Sequence, residues 1–118
     1  MHPEKKQQTI IRKPLLTALL DSSKTTRRAE IKQIDFEPGQ ATGLHDHPCP
    51  VVGCIASGSV TFQVEGEPVK TLHHGDAFFE PPNKRMLHFD NASDTQPMTF
   101  IAFYLLDENE HELIRMLP

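Results

Sequence analysis

The stretch GQATGLHDHPCPVVGCIASG, residues 39–58, decides how the rest of the chain reads. Between Gly39 and Gly58 it carries His45 and His47, two residues apart. On an extended segment, residues i and i+2 share a face, so the two imidazoles stand side by side. Two neutral imidazoles in that arrangement are half of a transition-metal site. The apolar run Val51 to Ala56 that follows reads as a strand stopping at Gly58. Upstream, Ala29 to Phe36 reads as a strand ending at Pro38-Gly39. Downstream, Val60, Phe62 and Val64 alternate with Thr61 and Gln63, the period-two pattern of a half-buried strand. Glu65-Gly66-Glu67-Pro68 is a turn, Val69 to Leu72 a short strand, and His73-His74-Gly75-Asp76 another turn. Ala77 to Glu80, Met86 to Asp90 and Met98 to Leu106 complete the series. Short strands at roughly ten-residue spacing, separated by Gly/Pro turns, predict an all-β sandwich or barrel.

The two ends read differently. Residues 1–13 are polar, and Pro14 opens the apolar run Leu15 to Leu20, which fits either a short helix or an extended arm laid on a sheet. Asp21 to Thr26 is loop by composition. At the other end Asp107 is placed to cap a final helix, with Glu108 and Glu110 in its first turn and Leu113, Ile114 and Leu117 as its apolar face. The organisation expected is one domain: an N-terminal arm over 1–28, a barrel over 29–106 and a C-terminal helix over 107–118.

Composition narrows the function classes. The 118 residues suffice for one core. Twelve basic against 16 acidic residues leave a net charge of −4, against general nucleic-acid binding. Trp, a common base-stacking platform, is absent. No apolar run approaches the roughly 18 residues that cross a bilayer, and the first residues lack the pattern of a signal peptide. A cytoplasmic protein acting on neither nucleic acid nor membrane is expected. Cys49 and Cys54 are five apart, which is no redox or zinc spacing, and read as small apolar side chains. Phosphate loops, nucleophile elbows and the H-E-x-x-H zinc motif are absent from the sequence.

Gly39, five residues, His45, one, His47, three, Val51, six, Gly58 resembles the first motif of the cupin superfamily, G-x5-H-x-H-x3-E-x6-G, at every position but one. Gly75, five residues, Pro81, then His88 and Asn91 resemble more loosely its second motif, G-x5-P-x-G-x2-H-x3-N. The likeness spans about residues 29–106 and implies a double-stranded β-helix, the jelly-roll barrel of the RmlC-like cupins, with a metal or ligand site in its mouth. Three departures bear on that site. The motif's Glu is replaced by Val51, and the other common spacing falls on Val52. The motif's Gly is Asn83. Its strict His position holds Met86, with His88 two residues further along. A shift of two keeps a strand residue on the same face, so His45, His47 and His88 are the expected ligands of one divalent ion. Iron, nickel, copper, manganese or zinc would each fit. Three neutral histidines would leave a local charge of about +2, which draws in anions.

Each remaining candidate has a plainer reading. Glu80, just before Pro81, is more in keeping with a solvated strand end than with a ligand. Cys49 shares parity with the histidines, but Pro48 and Pro50 break simple alternation around it. His73 and His74 belong to a solvated turn and His111 to an exposed helix face. Asp46 faces away from its flanking histidines. Tyr104, the only Tyr, hydrogen-bonds in the pocket or packs at an interface.

Two functions remain open. One is a metal-dependent enzyme, dioxygenase- or isomerase-like, acting on a small organic molecule. The lack of an obvious base beyond Glu80, the thiols and Tyr104 favours chemistry done by the metal. The other is a non-catalytic small-molecule or metal-binding module with a degenerate site, which loss of the Glu would suit. The resemblance also implies a homodimer, in which the apolar arm Ile10 to Leu20 is covered by the partner.

Overall fold

The computed structural model describes residues 9–118. Nine strands run through them: β1 (Arg28–Phe36), β2 (His45–Asp46), β3 (Val51–Ser57), β4 (Ser59–Val64), β5 (Lys70–His73), β6 (Ala77–Glu80), β7 (Met86–Asn91), β8 (Met98–Leu106) and β9 (Arg115–Met116). They form two antiparallel sheets, one of order β1-β8-β3-β6 and one of order β5-β4-β7-β2-β9. The all-β jelly roll read from the sequence is what the chain adopts, and the strand boundaries fall within a residue or two of the turn signals. No helix occurs among the described residues, so none is long and apolar enough to cross a membrane.

Alternation builds the core. On β8 every second residue, Met98, Phe100, Ala102, Tyr104 and Leu106, is buried, and on β4 the same holds for Val60, Phe62 and Val64. Phe62, Phe78, Phe89 and Phe100 meet between the sheets in edge-on and tilted pairs, with centroids 4.5 to 6.2 Å apart. Gly53 makes room for this cluster. A methyl group there would lie 2.1 Å from the Ile101 carbonyl oxygen and 2.6 Å from the Phe78 ring. Gly58, at φ 80°, turns the chain from one sheet into the other.

The two ends settle as extended chain. Residues 9–20 form neither helix nor strand, which decides the open question at Pro14 in favour of an arm. Leu15, Leu16 and Ala18 share the walls of a shallow groove with Val52, Cys54, Ala77 and Phe103 on the outer face of the β1-β8-β3-β6 sheet. Ile11 and Leu19 remain 87% and 78% exposed.

The helix expected over 107–118 does not form. Asp107 does start a turn: its carboxylate accepts from the Glu108 amide, and the Glu110 side chain accepts from the Asp107 amide. The turn is not propagated, because Arg28 of β1 donates to the carbonyls of Asp107, Glu108 and Glu110. A short isolated helix is marginal in water. Here an edge is available instead: β9 pairs with β2, and the Leu117 amide donates to the Leu44 carbonyl. The C-terminal segment therefore lies across the barrel as a strap rather than as a helix.

Candidate metal centre

His45 on β2 and His47 just after it both point to the interior, and both are almost fully buried. Each imidazole is held by a backbone carbonyl. Nδ1–H of His45 donates to Gly43 O at 2.7 Å, and Nδ1–H of His47 donates to Leu113 O at 2.7 Å on the C-terminal strap. These bonds set both tautomers, leaving the Nε2 lone pairs free to face inward. Their target is Glu80. Its two oxygens lie 3.6 Å from Nε2 of His45 and 3.2 Å from Nε2 of His47. The three ligating atoms fall within 4.8 Å of one another, and all three residues are buried.

Nothing neutral holds such a cluster together. Nε2 of His47 is buried without a hydrogen-bond partner, because its short contact to Glu80 is misaligned for one. A buried carboxylate facing two imidazole nitrogens favours a positive charge among them. Either an ion or a proton can serve. Burial by itself would push the His47 pKa down, but the Glu80 carboxylate beside it, helped by the Leu113 carbonyl, outweighs this and holds the imidazole above its ordinary value. Burial likewise pushes Glu80 up, and His45 and His47 together reverse this and hold it below the ordinary carboxylate value. The donor set, two imidazole nitrogens and a carboxylate, fits a divalent first-row ion.

Glu80 reads from the sequence as a solvated strand end rather than as a ligand. Ala77-Phe78-Phe79-Glu80 has apolar side chains of both parities, so the sequence alone leaves its facing undecided. Register decides it. Phe78 pairs with Gly53 and stacks over the space that glycine leaves, which turns Glu80 inward opposite Val51. Val51 is the position at which the first motif would carry its Glu, and Glu80 on β6 is its direct cross-strand partner.

His88 corrects the expected ligand set. Met86 and His88 do not share a face. Val64 pairs with Met86 while Gln63 pairs with His88, so Leu87 is an extra residue on β7, a bulge that breaks the period-two rule. Met86 is fully buried next to His45, whereas His88 is exposed and its Nδ1 meets Asp90 at 2.8 Å. The structure thus brings together His45, His47 and Glu80 and leaves His88 outside. With Glu80 in the set, a divalent ion would carry a local charge of about +1 rather than +2.

The other candidates sort as follows. Asn91 is buried and structural: it donates to the carbonyls of Glu37 and Gln96 and accepts from the Ser93 amide. Cys49 is a buried free thiol raised to about 11 by its burial, and it stands outside the cluster. His73, His74 and His111 are exposed. Asp46 turns outward to bond Arg115 of β9 at 2.7 Å. Tyr104 lies on the inner face, its ring 6.0 Å from that of His47 and its pKa raised to about 12 by burial and by Glu80. Beside the cluster opens a cavity of about 290 Å³, lined by apolar Ile34, Phe36, Phe89, Phe100 and Ile114, with Tyr104 at the histidine end.

The family model described as "Cupin domain" matches residues 33–104, more than half of the chain. The chain belongs to the cupin family. No curated protein matches it. Among solved structures this cupin is similar to a cupin-like protein of Thermotoga maritima, at 25% identity and TM-score 0.63, over 75% of this chain and 64% of that one. It is also similar to the DMSP lyase DddQ of Ruegeria pomeroyi DSS-3, at 20% identity and TM-score 0.63, over 75% and 42% of the two chains. An oxalate oxidase superposes at 18% identity and TM-score 0.62, over 75% and 46%. The chain thus spans 42 to 64% of the length of these neighbours, and the likeness to the two enzymes is one of fold.

Proposed function

We propose that this cupin binds one divalent transition metal ion through His45, His47 and Glu80 and acts on a small organic molecule held in the adjoining cavity. The observation that carries the reading is the buried, unpartnered Nε2 of His47 facing the Glu80 carboxylate. A bound ion would act as a Lewis acid with positions left open for a chelating substrate. The protein's own part is to hold both Nε2 lone pairs inward through the Gly43 and Leu113 carbonyls. Glu80 offsets one unit of charge. Tyr104, protonated at neutral pH, offers a hydrogen-bond donor at the cavity wall. Convergence of these polar groups at one end favours an enzyme. The apolar remainder of the wall is what a non-catalytic binding module would also need, and turnover separates the two.

The test is metal content by plasma mass spectrometry on untagged protein purified without chelators. Near one equivalent per chain of iron, nickel, copper, manganese or zinc is expected. A value that stays near zero after reconstitution refutes the metal reading. We further propose that two copies cover the exposed apolar arm, Ile10 to Leu20, and the sheet face beside it. Light scattering at micromolar concentration is expected to give twice the 13.3 kDa chain mass, and a value near 13.3 kDa refutes the dimer.

A further inference from the structure

Resting on the metal reading, the geometry points to the class of molecule this site takes: a small monocarboxylate with a second oxygen beside the carboxylate and an apolar body, to the exclusion of dianions. The ionisable groups of the cavity wall are gathered in one cluster. His45, His47 and Glu80 converge there, and Tyr104 stands next to them with no protein hydrogen-bond partner for its hydroxyl among the described residues. A head group with two adjacent oxygens can use the ion and that phenol together.

Most of the remaining wall is apolar, Ile34, Phe36, Phe89, Phe100 and Ile114, and at about 290 Å³ the space lies at the small end of ligand pockets. Gln40 and Thr42 are the other polar lining residues. The Thr42 hydroxyl already donates to Phe89 O, and the Gln40 side-chain oxygen accepts from the Glu37 amide, which leaves its NH2 as a neutral donor and no charge on this part of the wall.

Charge sets the limit on the ligand. Among the described residues neither Lys nor Arg lines the cavity. Lys32 has the parity of Ile34 on β1, but it is exposed and outside the lining. A divalent ion with one carboxylate ligand leaves about +1, which one carboxylate of the ligand neutralises. A second carboxylate would be buried against phenylalanine and isoleucine with no counter-charge, the costliest kind of burial. An apolar body in the same place gains from leaving water.

Two 2-oxo acids with the same head test this, because their chelating strength is shared and only the tail differs. Zinc-loaded protein and metal-free protein are each titrated calorimetrically with 4-methyl-2-oxopentanoate and with 2-oxoglutarate, and zinc retention is read separately by mass spectrometry. The isobutyl acid is expected to bind at least about tenfold tighter than the dianion. Equal affinities, a preference for 2-oxoglutarate, or binding of neither acid in both forms overturns the proposal. Zinc that is not retained counts against the metal reading alone, since the tail preference is then read on the metal-free protein. Ile114→Arg gives an independent arm. Ile114 is 40% exposed on the strap, so the substitution spares the core while placing a cation at the apolar wall. It is expected to narrow or invert the ratio. An unchanged ratio would mean that the tail does not lie along this wall, and would overturn the assignment.

Discussion

Glu80→Gln is the substitution that most sharply tests the centre, because it keeps shape and removes charge. The carboxylate oxygens lie 3.2 and 3.6 Å from the two Nε2 atoms, so Glu80 is the single anionic member of the cluster. Loss of a hydrogen-bond partner behind a metal ligand typically costs about 10- to 100-fold in affinity. Loss of the charge on a ligand itself should exceed that range, by more than about 100-fold or about 2.8 kcal/mol. The register supplies a rescue. Val51 and Glu80 are direct cross-strand partners, and such pairs have Cβ atoms about 5 Å apart on one face. The double variant Val51→Glu/Glu80→Gln returns a carboxylate to the same patch from the neighbouring strand. It should recover at least about tenfold, net of an overpacking cost of about 1–3 kcal/mol to the fold. The assay is competition for zinc against a chelator indicator, with circular dichroism confirming the fold of each variant. If Glu80→Gln binds zinc within about threefold of the parent, Glu80 is no ligand and the reasoning fails.

His88→Ala should leave zinc affinity within about twofold and stability within about 0.5 kcal/mol, since the side chain is 50% accessible and outside the cluster; a loss of about tenfold would restore it to the site. Metal-free and zinc-loaded protein should respond to pH with opposite sign. The raised pKa of His47 stabilises the metal-free fold fully below 6.5 and ceases to do so as pH rises through its higher folded value. The lowered pKa of Glu80 stabilises above 4.5 and ceases to do so as pH falls through its lower folded value. Zinc needs neutral imidazole, so the gap in Tm between loaded and metal-free protein should widen from pH 6 to pH 8, and a constant gap would refute proton–metal competition at His47. Gly53→Ala should cost at least about 3 kcal/mol and lower Tm by roughly 10 °C, because the new methyl meets the Ile101 carbonyl and the Phe78 ring; a neutral result in thermal melts would mean the two sheets are less tightly apposed at β3 than described.

Residue pattern alone marks β1 and β3 to β8, the turns between them and the inward pair His45 and His47, but not β9. These are properties of nearest neighbours along the chain: period-two alternation on β4 and β8, and Gly or Pro wherever the backbone must turn. It also fixed that Val51 cannot ligate. It did not determine which carboxylate meets the two histidines or that His88 stands apart from them, because both depend on how one strand sits against another. The facing of Glu80 follows from the space above Gly53, which draws Phe78 inward and so turns its second neighbour toward the histidines. The exclusion of His88 follows from one extra residue at Leu87, a bulge that local alternation gives no hint of. The C-terminal strap has the same origin. A capping residue and an apolar stripe promise a helix over 107–118. Arg28, the free edge of β2 and Nδ1–H of His47 instead take its backbone carbonyls and amides one by one. Local pattern governs which residues point the same way along a strand. Only contact between strands distant in sequence governs what they point at.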